Sequence, residues 1–163
     1  MKFRILFSGI VFLSALSNIY GQWPVIYEDS INVVPDRVWE HYDKGYIFTG
    51  EKYLGWSYYG WINKTDINGE ILWEKSYGNP SDRTKFSSSR ITTDGGLIIS
   101  GGSNKLSSSC IDPIIVKINA CGEKEWCKIY SAQWCNSWAQ DIEILPDGGY
   151  LALINRWNNS EED

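Results

Sequence analysis

Few residues in this chain have the types and spacing to do chemistry: one histidine, four cysteines and a set of loop aromatics. His41 stands between Glu40 and Asp43, a grouping that could hold a general base. At the end of a short apolar segment it reads better as a partly solvated strand-end residue. Cys110, Cys121, Cys127 and Cys135 fall within one 26-residue window. They form no C-x-x-C pair, and His41 is far away in sequence, so the pattern of a zinc site is missing. An even cysteine count in an exported chain reads as disulfides. Asp66-Ile-Asn-Gly-Glu70 has the start of a calcium loop, but calcium needs further oxygens at alternate positions and a distant acid. Here Ile71, Leu72 and Trp73 follow at once, so the segment reads as a turn. No nucleophile-elbow, phosphate-loop, zinc-protease or dinucleotide motif is present. The sequence therefore points to no catalytic residue, metal or cofactor.

The loop aromatics carry the remaining signal. Tyr53 and Trp56 lie in 51–57, and Trp134 and Trp138 lie in 131–138 beside Gln133 and Asn136. Rings flanked by amides suit sugars, which offer apolar faces and hydroxyl edges. The same rings could instead cap the ends of sheets. The serine-rich stretch 103–109 reads as a flexible insertion.

The elements that would position these residues are strands. Apolar runs of four to eight residues, rich in Ile, Val, Tyr, Trp and Thr, alternate with Gly, Asn, Asp, Pro and Ser clusters. No stretch keeps helical periodicity for three turns. W-x-x-x-Y occurs at Trp23, Trp73 and Trp126, at intervals of 50 and 53 residues, and 62–77 matches 115–130 at seven of sixteen places. A period near 50 marks an array of small units. The first complete unit is expected as strands 37–41, 45–50, 58–64 and 70–77, with a tight Asn-Gly turn at Asn68-Gly69. The second is expected at 86–92, 96–101, 114–118 and 123–130, and a third begins with 139–145 and 149–154. Pro24 suggests that the strand around Trp23 is an edge. Trp23, Trp73 and Trp126 occupy one place in the outer strands, where a large ring can pack against the neighbouring unit.

Hairpin pairing in the second unit places Cys110 opposite Cys135 near its open end and sets Cys121 and Cys127 about the turn. The expected disulfides are Cys110–Cys135 and Cys121–Cys127.

Residues 1–21 read as a signal peptide: Lys2 and Arg4, then a short apolar run, then a small polar exit ending at Gly21. The run is too short to span a bilayer, and no later segment could. The remaining 142 residues carry a formal charge of −7, a poor match for nucleic acid or an anionic membrane.

Asp94-Gly-Gly-Leu-Ile-Ile-Ser-Gly, Ile115-Val-Lys-Ile-Asn-Ala-Cys-Gly and Trp126-Cys-Lys-Ile-Tyr together resemble the repeat of secreted bacterial β-propeller proteins. That repeat runs D-G-G-Y, aliphatics, then K-x-D-x-x-G-N, then W-x-K-x-Y-G. The resemblance covers nearly all of 22–154. It implies an all-β fold of four-stranded antiparallel blades, with 22–163 as the N-terminal part of a propeller domain. It also implies a secreted or cell-surface protein of the kind that often carries a C-terminal sorting domain for type IX secretion. The G-x-x-x-W element is similar, less closely, to the tryptophan-docking repeat of quinone-dependent dehydrogenases.

Two complete blades and parts of two others are too few for a ring of four to eight, so an open row is expected, its remaining blades supplied by further C-terminal sequence. The function expected is a binding or scaffold module for a glycan or protein ligand. The alternatives are a fragment of a propeller enzyme, either quinone-dependent or glycan-active, and a degraded gene piece.

Overall fold

The structure is a computed structural model that describes residues 32–106, 109–131 and 136–156. Trp23, Trp134, Cys135 and the segment 1–21 expected as a signal peptide lie outside the described residues. Every regular element described is a strand. The first sheet holds β1 (Asn32–Glu40), β2 (Tyr46–Leu54), β3 (Ser57–Thr65) and β4 (Ile71–Tyr77). The second holds β5 (Thr84–Ile91), β6 (Leu97–Ser103), β7 (Asp112–Ile118) and β8 (Lys124–Ile129). β9 (Ser137–Ile144) and β10 (Tyr150–Arg156) pair as a third sheet of two strands. All pairings are antiparallel between consecutive strands.

Turn chemistry fixes these hairpins. Asp66 Oδ1 accepts the N–H groups of Asn68 and Glu70 at 2.8 and 2.9 Å. Asn119 Oδ1 does the same for Cys121 and Glu123 at 3.0 and 2.9 Å. A short side chain that satisfies two turn amides tightens the connection. Several strands run further than expected. β1 begins at Asn32 and β2 reaches Leu54, because their ladder continues from Val34 opposite Glu51 out to Asn32 opposite Tyr53.

Bulges recur at matching places. The β1–β2 register skips Asp36, the β5–β6 register skips Ser87 and the β9–β10 register skips Gln140. Leu72 and Glu125 are passed over in the last pairing of each four-stranded sheet. An extra residue bends the strand and strengthens its twist.

The sheets stack face to face, with the second between the first and the third. One core, between the first and second, contains Ile47, Ile62, Phe86, Leu97, Ile99 and Val116. The other, between the second and third, contains Ile98, Ile115, Ala139 and Ile142. Successive residues of β6 thus serve opposite cores, and β6 and β7 are buried along their whole length. Each fully buried Ile contributes about 1.5–3 kcal/mol. The Phe86 ring packs against Gly60, where an added Cβ would stand 2.5 Å from it. Trp73 packs on the first core with its ring edge at Gly122 of the next sheet. Trp126 packs on the second core with its ring 6.1 Å from that of Tyr150 in β10.

Two buried lysines pin the second strand of each complete sheet to the third. Lys64 Nζ lies 2.8 Å from Asp43 and donates to Thr65 O at 2.9 Å. Lys117 Nζ lies 2.9 Å from Asp94 and donates to Ile118 O at 2.9 Å. The same carboxylates accept the N–H of Gly45 and Gly96 at 2.9 and 3.0 Å. Glycine is required there, since a Cβ would collide with the carbonyl of Thr65 or Ile118. The Asp-x-Gly of one turn and the Lys some twenty residues later are thus parts of one contact.

The Cys121–Cys127 disulfide expected from the sequence does not form: both are exposed free thiols. Cys127 stands opposite Val116, while Cys121 sits in the turn itself. Cys121 thus has no cross-strand partner, and the residue facing Cys127 is not a cysteine. Cys110 is not a free thiol; its expected partner, Cys135, is outside the described residues.

Burial pushes Asp43 up, but Lys64, the Gly45 amide and His41 outweigh it and hold the group at about 2. Thr92, Lys117 and the Gly96 amide hold Asp94 below the usual carboxylate range. A carboxylate with a lowered folded pKa stabilises above its unfolded value near 4 and loses that contribution as pH falls through the folded value. Thermal melts should therefore drop steeply between about pH 4 and pH 2. Asp94→Asn, which strips Lys117 of its main partner, should cost roughly 1–3 kcal/mol at pH 7 and flatten that acid slope. An unchanged slope in the variant would refute the pin.

Candidate functional site

The best-formed polar cluster lies where β1, β2 and β3 run toward their shared hairpin end, on the face turned to the second sheet. Gly55 at φ +64° opens the two-residue turn that joins β2 to β3, with Leu54 paired to Ser57. A glycine in the first turn position supplies the positive φ that matches strand twist. Trp56, the other turn residue, is 97% exposed. One pair further in, Tyr53 faces Tyr58, their rings 4.7 Å apart and tilted by 62°. Arg83 stands over the Tyr58 ring at 5.9 Å.

Glu51 shares the face of Tyr53 two residues earlier and is buried. Its carboxylate receives Lys85 Nζ from β5 at 3.0 Å. Burial, followed by the hydrogen bond to Glu51 and that group's charge, pushes Tyr53 up to about 12. The bulge in β1 turns Asp36 toward the same place. Burial raises its pKa first; Lys85 pulls it down and Glu51 pushes it up again. Its Oδ2 is buried without a hydrogen-bond partner. A carboxyl that resists ionisation, a carboxylate held by lysine and a pair of phenol rings thus occupy one end of the first sheet.

Of the residues expected from the sequence, Tyr53 and Trp56 belong to this hairpin. Trp138 does not: it is the second residue of β9, hydrogen-bonds Gln140 at 2.7 Å and packs its Cβ near Gly102. Tyr53, Trp56 and Trp138 share no ring contact or hydrogen bond among the described residues. Trp134 lies outside those residues. Asp36, Glu51 and Tyr58 were not anticipated. The one available signal was Glu51 itself, a carboxylate directly after the apolar run 46–50.

His41 is structural. Its Nε2 lies 3.0 Å from Gly95 O of the second sheet and its Nδ1 3.1 Å from Asp43. A second cleft, about 530 Å³, opens between β4 and the β7–β8 hairpin, lined by Tyr77, Phe86, Val116, Glu123 and Cys127. Tyr77 donates to Gly122 O at 2.6 Å, and burial raises its pKa. The cleft partly desolvates the Cys127 thiol and pushes its pKa up, although the residue as a whole is exposed. A protonated thiol is a poor nucleophile, so this cleft offers shape and polarity rather than reactivity. Among the described residues, no group of three His, Cys, Asp or Glu could hold a metal ion. Among the described residues, no helix is long and apolar enough to cross a membrane.

No protein-family model matches this chain, and no curated protein matches it.

The Asp36 environment gives a signed prediction. A carboxyl whose folded pKa is raised opposes folding increasingly as pH climbs above its unfolded value near 4. Asp36→Asn should gain stability relative to the parent between pH 4 and pH 7, read as a widening gap in Tm. A gap that is constant with pH would show that Asp36 ionises normally.

Proposed function

We propose that this chain forms blades of a β-propeller in an exported protein and serves as a binding module that takes a glycan at the Tyr53–Trp56 hairpin. The observation that carries the reading is the grouping of Tyr53, Tyr58 and the outward Trp56 ring with the Glu51 and Asp36 carboxyls. Aromatic faces stack on the C–H faces of a sugar ring, and carboxyl oxygens accept its hydroxyls. The blade reading is supported by the four-stranded antiparallel order, the matching bulges and the face-to-face stacking. Export rests on the leader-like 1–21 segment and on the resemblance to secreted repeat proteins.

A second reading is favoured by one observation. Asp36 and Glu51 form a pair in which one carboxyl resists ionisation while the other is held by Lys85. Two neighbouring carboxyls in unlike environments are the equipment of glycoside hydrolysis. Under this reading the hairpin belongs to a glycan-active enzyme.

Binding to an array of neutral and acidic oligosaccharides separates these outcomes. Trp56→Ala should leave Tm unchanged, because the ring is solvated, and weaken the best glycan about tenfold. Tyr53→Ala should weaken it further. Cleavage of the bound glycan that Asp36→Asn abolishes would select the enzyme. The absence of any glycan signal sensitive to Trp56 would end both readings.

A further inference from the structure

Among the described residues, the third sheet carries half of the lysine pin. In the β9–β10 turn, Asp147 Oδ1 accepts the Gly149 N–H at 2.9 Å, as Asp43 and Asp94 accept those of Gly45 and Gly96. Among the described residues, no lysine or arginine is paired with Asp147. A Cβ on Gly149 would meet only side-chain atoms of Asp147 and Leu145, where at Gly45 and Gly96 it would strike the carbonyl of a third strand. Leu151 and Leu153 of β10 are 61% and 63% exposed. Leu151 corresponds to Ile98, which is completely buried in β6.

We propose that the outer edge of β10 binds an extended peptide strand of defined pattern: apolar, any residue, lysine, then Thr or a β-branched aliphatic. It pairs antiparallel, with its lysine opposite Leu151 and its ammonium on Asp147. The register follows from the two complete sheets, where Lys64 stands opposite Ile47 and Lys117 opposite Ile98. Both lysines also follow the pattern, in Ile62-Asn-Lys-Thr65 and Ile115-Val-Lys-Ile118. The ladder would supply affinity through backbone hydrogen bonds, and the Asp147 charge would select the lysine and fix the register. In the two complete sheets the lysine is buried while its carboxylate is half exposed, so the contact selects a residue that can carry an ammonium to the turn. This inference concerns the far end of the stack and is independent of what the Tyr53 hairpin binds.

The test uses the full chain and a fluorescent peptide copying residues 57–77, which contains the Lys64 pattern and no cysteine. Anisotropy should show saturable binding, and hydrogen exchange should show new protection of β10 amides. Lys64→Met in the peptide and Asp147→Asn in the protein should each weaken binding about tenfold. The two changes together should weaken it little more than either alone, as partners in one contact do. Leu151→Lys should abolish binding by placing a like charge at the register position. Circular dichroism matched to the parent verifies the folding of each variant. The proposal fails if no saturable binding occurs, if the Lys64→Met peptide binds equally well, or if protection appears elsewhere. It also fails if β10 pairs with a second copy of the chain that the peptide does not displace.

Discussion

A four-stranded antiparallel sheet with apolar residues on both faces cannot stand alone in water, and most of this structure follows from that. β6 and β7 show the consequence most clearly. Ile98 and Ile99 are adjacent in sequence and fully buried, yet they belong to different cores. That is possible only if another sheet covers each face. The first and third sheets provide the cover, and large rings close the outer rims, Trp73 at Gly122 and Trp126 at Tyr150. The burial pattern of β10 differs from that of β6 because, among the described residues, one of its faces meets no such layer.

Stacking by apolar contact alone would let neighbouring strands slide. The polar contacts remove that freedom. Each buried lysine can be satisfied only where a turn carboxylate and the next residue's carbonyl converge, so a slip of one residue would strand a charge in the core. Between sheets, Trp39 donates to Ser89 at 3.1 Å and Ser88 to Asp141 at 2.5 Å. Arg90 reaches Glu143 while lying over the Trp39 ring. These contacts sit along the first strands, where the three sheets come together.

The strands and their turns were legible in the sequence because both signals are local. Alternation, Asn-Gly and Asp-Gly-Gly each act within a few residues. The bulges were not legible: an extra residue on one strand leaves its composition unchanged and shows only against a partner. The Cys121–Cys127 pairing failed because Cys121 falls in the turn, where it has no cross-strand partner, while Cys127 faces Val116. At the candidate site, Trp56 could be seen as a loop aromatic, whereas Tyr53, expected in the same loop, lies in β2 because the hairpin ladder runs on to Leu54. The Asp36–Glu51 pair could not be seen, because it depends on a bulge in β1 and on Lys85 from a different sheet.

The matching bulges have a consequence for how such a chain can change. Asp36, Ser87 and Gln140 occupy the same extra position in the first strand of their sheets. Each is skipped by the ladder, so no cross-strand neighbour dictates its side chain. Three different chemistries, an acid, a hydroxyl and an amide, already stand there on the same backbone. The position behaves as a socket: the fold holds the backbone fixed while the residue type is left open. Selection could alter what one end of each sheet presents without disturbing a core isoleucine or a lysine pin. Recognition and stability are in that sense written in separate letters of the same repeat.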